Sequence, residues 1–161
     1  MTSTDVPAQE ETVARTPGGV ARGVLRTMRP RQWVKNVLVF AAPGAAGVLD
    51  QWDDLWRTLL TFVAFCLGAS AIYLWNDALD VESDRIHPTK RFRPIAAGIV
   101  PVRTAKVVGT VLPVLALVVA AGTGHWETVV VIAVYDTGLR LVIRAENSAE
   151  GWKVAKVAPA E

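Results

Sequence analysis

An uncharged apolar run, residues 59–75, leads directly into a cluster of acids, and this junction constrains the fold more than any other part of the sequence. The run is close to the roughly 20 apolar residues that a helix needs to cross a bilayer. Immediately after it come Asn76, Asp77, Asp80, Glu82 and Asp84. The sequence therefore predicts a membrane helix whose end carries a concentration of carboxylates.

Helical spacing places most of these polar side chains on one face. At about 100° per residue, with Asp77 at zero, Asp80 falls at about −60° and Asp84 at about −20°, whereas Glu82 points away at about 140°. Asn76 lies on the edge of the same stripe. Like charges on one stripe repel each other unless something neutralises them, and oxygen ligands of this kind suit Mg²⁺. The alternative is a solvated polar helix end outside the membrane.

A basic loop follows the acids. The pair His87-Pro88 should end the helix, because a residue before proline avoids the α region. Lys90, Arg91 and Arg93 come next. Metal would bridge the acids to phosphate while Lys and Arg hold the remaining negative charge, so the pattern predicts a magnesium–diphosphate site.

Composition supports a membrane protein. Of 161 residues, 52% are hydrophobic, and the 20% that are charged are gathered in blocks between apolar segments. Three such segments are predicted to cross the membrane: Trp33–Leu49, Leu59–Trp75 and Val107–Gly122. A fourth apolar run, Thr128–Tyr135, is too short to cross it alone. The predicted fold is all-α and multi-spanning, with three clear transmembrane helices plus an incomplete fourth.

The basic residues give an orientation. They concentrate before the first segment and between the second and third, so the positive-inside rule places the N-terminus and the acidic motif in the cytoplasm. Residues 1–23 are expected to form a disordered cytoplasmic tail. Basic residues that flank spans in this way act as topology signals, so nucleic acid is not an expected partner.

A polar pair, Lys35 and Asn36, sits just inside the first apolar segment. An interfacial anchor of basic and aromatic residues explains Arg29, Arg31 and Trp33. It explains the pair less well, because polar groups at that depth usually face the bundle interior or a cavity.

The acidic stripe, with the pattern NDxxDxxxD over residues 76–84, is similar to the first aspartate-rich motif of the UbiA-type intramembrane prenyltransferases. Two further blocks, RPRQWVKN at residues 29–36 and DRxHPxKxxRP at residues 84–94, resemble the decaprenyl-phosphate phosphoribosyltransferase branch of that superfamily. The resemblance implies a bundle of membrane helices with Mg²⁺-bound diphosphate at the cytoplasmic mouth of a lipid-accessible cavity.

The resemblance also implies substrates and residue roles. Phosphoribosyl pyrophosphate would be the donor and a polyprenyl phosphate the acceptor, which would give a precursor of cell-wall arabinan (arabinogalactan). Asp77, Asp80 and Asp84 would be the catalytic, Mg²⁺-binding acids. Six further residues would bind substrate: Lys35, Asn36, Asn76, Lys90, Arg91 and Arg93. No nucleophilic triad is expected, because the acceptor phosphate is already an anion.

The membrane pattern stops after Tyr135. Residues 24–135 are expected to be the N-terminal part of the prenyltransferase-like domain, and residues 136–161 a divergent polar tail, as in a truncated or frame-shifted reading of a longer gene. A chain of this kind would by itself bind phosphoribosyl pyrophosphate weakly. Two other readings stay open: a prenyltransferase of the same superfamily acting on a quinone or haem precursor, and a non-catalytic membrane fragment.

Overall fold

The computed structural model describes residues 16–138, and within this range the regular elements are all helices. In chain order they are α1 (Pro17–Thr27), a first 3₁₀ helix (Pro30–Phe40), α2 (Ala41–Ala45), α3 (Trp52–Leu79), α4 (Val81–Ile86), a second 3₁₀ helix (Lys90–Phe92), α5 (Val102–Ala121) and α6 (residues 126–138). The all-α prediction is confirmed for the described part of the chain.

Helix α1 begins earlier than expected. The side chain of Thr16 caps it by accepting a hydrogen bond from the backbone N–H of Gly19 at 3.2 Å, and Pro17 occupies a position where its missing N–H costs nothing. The prediction of a disordered tail over residues 1–23 is therefore wrong for residues 17–23. Residues 1–15 lie outside the described residues.

The structure contains two helices long and apolar enough to cross a membrane, α3 and α5, in its described range. The expected spans Leu59–Trp75 and Val107–Gly122 correspond to them. The expected first span, Trp33–Leu49, is not one long helix. It is divided between the first 3₁₀ helix and the five-residue α2, and a turn with Gly47 at φ 69° follows.

The first 3₁₀ helix is attached to α3 by polar side chains. Its three-residue repeat brings Trp33 and Asn36 to one face. The indole N–H of Trp33 donates to Ser70 Oγ at 3.1 Å, and the amide of Asn36 donates to Cys66 Sγ at 3.3 Å. These contacts hold the segment along α3 and account for why it does not form an independent membrane helix.

Helices α3 and α5 pack closely because small residues lie between them. Gly109 of α5 faces Trp75 and the carbonyl of Ala71 on α3. Further along, Ala64 and Ala120 are buried in a cluster that Ile132 of α6 completes. Small residues let membrane helices approach closely, which favours van der Waals contact where no hydrophobic driving force exists between helices. The opposite face of α5 exposes a valine stripe: Val107, Val111, Val114 and Val118.

The polar connection between α3 and α5 folds back under α1. Helix α3 ends at Leu79, Asp80 separates it from α4, and His87, in an extended conformation, precedes Pro88 as the sequence predicts. Ile95 and Val100 are buried beneath Val24 of α1. The incomplete fourth run, Thr128–Tyr135, lies within α6; residues 139–161, most of the predicted polar tail, lie outside the described residues.

Gly109→Ala should destabilise the helix pair. A Cβ there would lie 2.9 Å from Cδ1 of Trp75 and 3.4 Å from the carbonyl oxygen of Ala71, so the helices must separate or the indole must move. Overpacking of this kind costs about 1–3 kcal/mol. The free energy of unfolding is measured by circular dichroism during a titration of dodecyl maltoside micelles with sodium dodecyl sulfate. Gly18→Ala is the control, since nothing lies within 4 Å of its added Cβ; equal stability of the two variants would contradict the packing argument.

Candidate functional site

Two buried carboxylates converge on one arginine where α3 gives way to α4. Asp77, in the last turn of α3, and Asp84, on α4, keep only 3% and 2% of their side-chain surface exposed. Nη1 of Arg93 lies 3.1 Å from Oδ1 of Asp77 and 2.8 Å from Oδ2 of Asp84. Buried charge requires a partner, and Arg93 supplies one to both acids.

Arg29 completes the pairing of Asp77 from the other side. Its Nη2 donates to Asp77 Oδ1 at 2.9 Å, and its guanidinium lies 4.5 Å from the ring centroid of Tyr73. The backbone of Arg29 is left-handed, with φ 54° and ψ 61°, which is strained for a non-glycine residue and disfavoured before proline. The surrounding contacts hold this strained conformation at the site.

Sequence reasoning assigned Arg29 to an interfacial anchor and missed this role. The available signal was Tyr73, which lies near the acidic stripe one turn before Asp77 and presents a ring on which an arginine can stack. Its partner, 48 positions away in the chain, is set only by the fold.

The remaining predicted site residues lie at different depths. Nζ of Lys90 is 4.0 Å from Oδ1 of Asp84. Arg91 is exposed, with its guanidinium 4.9 Å from the ring centroid of Phe92. Asn76 and Asp80 are half-buried, and their backbone carbonyls accept from the N–H groups of Asp80 and Asp84 across the helix break.

Lys35 and Asn36 do not join this cluster. Lys35 is exposed, and Asn36 contacts Cys66. Cys66 precedes Asp77 on α3 by a helical distance of about 17 Å. The pair therefore lies on the flank of α3, nearer the middle of the helix.

A small cavity of about 210 Å³ opens beside the acids. Arg26, Arg29 and Arg93 line it together with Asp77, and the hydroxyl-bearing Thr27 and Thr89, Phe92 and Pro94 complete the wall. Three guanidinium groups against one carboxylate give the cavity a positive balance, and planar guanidinium groups match phosphate oxygens in bidentate fashion. The cavity therefore suits an anion with several oxygens.

The acids also fit a divalent cation. Within residues 16–138, no three carboxylate, imidazole or thiol side chains form a preassembled ion cluster. The break at Asp80 interrupts the continuous stripe that the sequence predicted. Asp77 and Asp84 nevertheless bracket a single nitrogen of Arg93, and Mg²⁺ commonly binds through one or two carboxylates plus substrate phosphates and water. Asp77 and Asp84 are thus the residues that would hold such a cation.

Comparison with known proteins identifies the family. The profile of the UbiA prenyltransferase family matches residues 37–136, which include α3, the acids and α5. The chain belongs to the UbiA prenyltransferase family. This confirms that it is similar to membrane helical transferases, as its motifs suggest.

Three similar family members carry the same name, decaprenyl-phosphate phosphoribosyltransferase. The protein from Mycolicibacterium smegmatis is 46% identical over 142 residues, which are 84% of this chain and 43% of that protein. The Mycobacterium tuberculosis protein is 54% identical over 112 residues (67% and 37%), and the Corynebacterium glutamicum protein is 59% identical over 93 residues (55% and 27%). The chain spans less than half the length of these relatives.

Arg93→Met should destabilise the fold because it leaves Asp77 and Asp84 buried with less compensating charge. Breaking a buried ion pair costs about 3–5 kcal/mol, and we expect about 3 kcal/mol here, since 27% of the Arg93 side chain is exposed. The free energy of unfolding in mixed micelles is the measurement. Arg91→Met, two residues away and exposed, is the matched control and should change stability little. Equal effects of both changes would argue against the bridging role of Arg93.

Proposed function

We propose that this chain provides the diphosphate-binding part of a membrane transferase that moves 5-phosphoribose from phosphoribosyl pyrophosphate to decaprenyl phosphate. The observation that carries the proposal is the pair of buried carboxylates, Asp77 and Asp84, bridged by Arg93 beside a cavity lined with arginines. The names of the three relatives supply the substrates. The product would serve the synthesis of cell-wall arabinan.

In this proposal the acids exchange partners when substrate binds. Asp77, Asp80 and Asp84 would hold Mg²⁺, which would contribute charge neutralisation at the departing pyrophosphate. Arg93 and Arg29, now paired with the acids, would turn to the phosphate oxygens. The exchange leaves every charge compensated before and after binding, so no carboxylate is exposed without a partner in the low-dielectric site.

The outer cations would bind the rest of the donor. Lys90 already lies at the edge of the acid pair, and Arg91 is exposed beside it, so both can approach a diphosphate from the solvent side. Asn76 would orient the diphosphate from the last turn of α3. Lys35 and Asn36 lie on the first 3₁₀ helix, beside the middle of α3. They would contact the lipid acceptor and not the diphosphate.

The proposed transfer needs few further catalytic groups from the protein. As pyrophosphate departs, the anomeric carbon develops positive charge, and cations that stabilise the leaving group lower the barrier. The acceptor phosphate is an anion and needs no strong base. The residues described thus act by binding, orienting and neutralising charge.

The membrane arrangement is part of the proposal. Residues 24–135 would form the N-terminal part of a larger bundle, in which the first 3₁₀ helix lies along α3. The basic residues around the acidic motif favour its placement, with the N-terminus, on the cytoplasmic side of the bacterial plasma membrane, where phosphoribosyl pyrophosphate is available.

Transfer of a prenyl group to a quinone or haem precursor is the second candidate, favoured by the family description itself. Both functions use a diphosphate leaving group, so the acid–arginine cluster serves either. They differ in the group that occupies the cavity: a polar phosphoribosyl unit or an apolar chain. The described wall, rich in arginine and threonine, favours the polar donor.

Binding of phosphoribosyl pyrophosphate to the chain in dodecyl maltoside, followed by isothermal titration calorimetry, tests the proposal. We expect phosphoribosyl pyrophosphate to bind only in the presence of Mg²⁺. The Asp80→Asn variant, an isosteric change at a half-buried residue, should weaken this binding about tenfold. Arg103→Gln, an exposed residue at the start of α5, should have no such effect.

Other outcomes would redirect the assignment. Stronger binding of geranyl diphosphate than of phosphoribosyl pyrophosphate would favour the prenyl-donor function. If neither diphosphate bound in the presence of Mg²⁺, the chain would be a non-catalytic membrane fragment.

A further inference from the structure

A second cavity, whose mostly apolar wall carries a few ionisable residues, lies at the other end of the long helices, away from the acids. Its volume is about 410 Å³, and it is bounded by the first turns of α3, the loop after α5 and the α2 region. Asp54 and Arg57 of α3 and His125 of the loop are its ionisable wall residues. Neither the family resemblance nor the proposed transfer reaction uses this cavity.

The position of the cavity along α3 places it at a membrane surface. Arg57 and Asp77 lie 20 positions apart in one continuous helix, a rise of about 30 Å. The hydrocarbon core of a bilayer is also about 30 Å thick. When the acids lie at one interface, Arg57 and His125 lie at the opposite one.

Exposed tryptophans mark the same level. Trp52, Trp56 and Trp126 are 73%, 51% and 71% exposed. The first two lie in the first turns of α3, and Trp126 directly follows His125 at the start of α6. Tryptophan concentrates at the headgroup level of membranes, where its ring is partly apolar and its N–H is solvated. This observation, independent of helix length, also places the cavity among lipid headgroups.

Arg57 and His125 are exposed residues on this wall, and the hydrogen bond between them leaves other N–H groups of both side chains available. Nη1 of Arg57 lies 3.0 Å from Nε2 of His125. A guanidinium group only donates, so Nε2 accepts and the neutral imidazole carries its proton on Nδ1. The remaining N–H groups of Arg57 and the Nδ1–H of His125 can therefore donate to one anion.

Three of the four threonine hydroxyl groups of the wall donate to backbone carbonyls. Thr58 and Thr61 donate to the backbone carbonyls of Asp54 and Arg57 at 2.7 and 2.9 Å, and Thr123 donates to that of Ala120 at 2.7 Å. The wall therefore offers a ligand the donors of Arg57 and His125 and the hydroxyl of Thr128. Asp54 adds a carboxylate on the same wall, which attracts a cationic group and disfavours a simple anion.

We propose that this cavity binds the headgroup of a zwitterionic phospholipid of the ethanolamine class at the membrane surface opposite the acids. Arg57 and His125 bind its phosphate, and Asp54 binds its ammonium group. The site combines a charge-assisted donor pair with a carboxylate, which matches the two charges of this headgroup. The proposal is independent of the transfer reaction, because the two sites share no residue.

The two histidines of the chain make the test site-specific. His125 belongs to this cavity, and His87 follows α4 near the acids. The chain in dodecyl maltoside is titrated with dihexanoyl phosphatidylethanolamine while the ring resonances of both histidines are followed by NMR. We expect the His125 resonances to shift in a saturable manner while those of His87 stay constant. Arg57→Gln should weaken binding about tenfold, and Arg103→Gln should leave it unchanged.

Three results would overturn the proposal. These are equal binding by the Arg57→Gln variant, a shift of His87 in place of His125, and equal affinity for inorganic phosphate or dihexanoyl phosphatidylglycerol. If the Arg57→Gln variant loses helicity, the His125→Ala variant takes its place in the test. Binding is then followed by the indole resonance of Trp126, and we expect a similar loss of affinity. Failure of phosphoribosyl pyrophosphate to bind would affect only the function proposed above.

Discussion

Two carboxylates withdrawn from solvent need positive charge beside them, and this requirement organises the polar end of the molecule. Arg93 bridges Asp77 and Asp84, and Arg29 reaches Asp77 from the segment before the first 3₁₀ helix. Four separate parts of the chain are thereby joined at one point: the segment that carries Arg29, α3, α4 and the basic loop. The left-handed backbone of Arg29 is tolerated because its guanidinium is held by both Asp77 and Tyr73.

The same arrangement relates stability to function. Arginines that neutralise the acids in the free protein are suited to receive phosphate, because guanidinium binds carboxylate and phosphate with the same planar geometry. A ligand that brings a cation for the acids and phosphate for the arginines would replace one set of compensated charges by another. The ion pairs that stabilise the free site thus involve the same arginines that we propose as phosphate ligands.

The helix pair α3 and α5 separates this site from a second polar region. Close contact at Gly109 and the alanine cluster around Ala64 give the pair a defined packing. The length of α3 matches a bilayer, so polar groups concentrate at its two ends: Asp77 at one, and Arg57 with His125 at the other. One end carries the acidic motif, and the other carries the cavity that we propose as a headgroup site.

The sequence by itself determined the helical class, the spans α3 and α5 and the acids at the end of α3, because an uncharged apolar run and a proline break are local signals. It also placed Lys90 and Arg93 in the loop after those acids, but it assigned them to phosphate, and the bridging of Asp77 and Asp84 by Arg93 was not predicted. It did not reveal the division of residues 30–49 into 3₁₀ and α-helical segments, which depends on the hydrogen bonds of Trp33 and Asn36 to α3. Nor did it reveal the break at Asp80, the pairing of Arg29 with Asp77 or that of Arg57 with His125. Both of these pairings join residues far apart in the chain, so only the tertiary structure decided them.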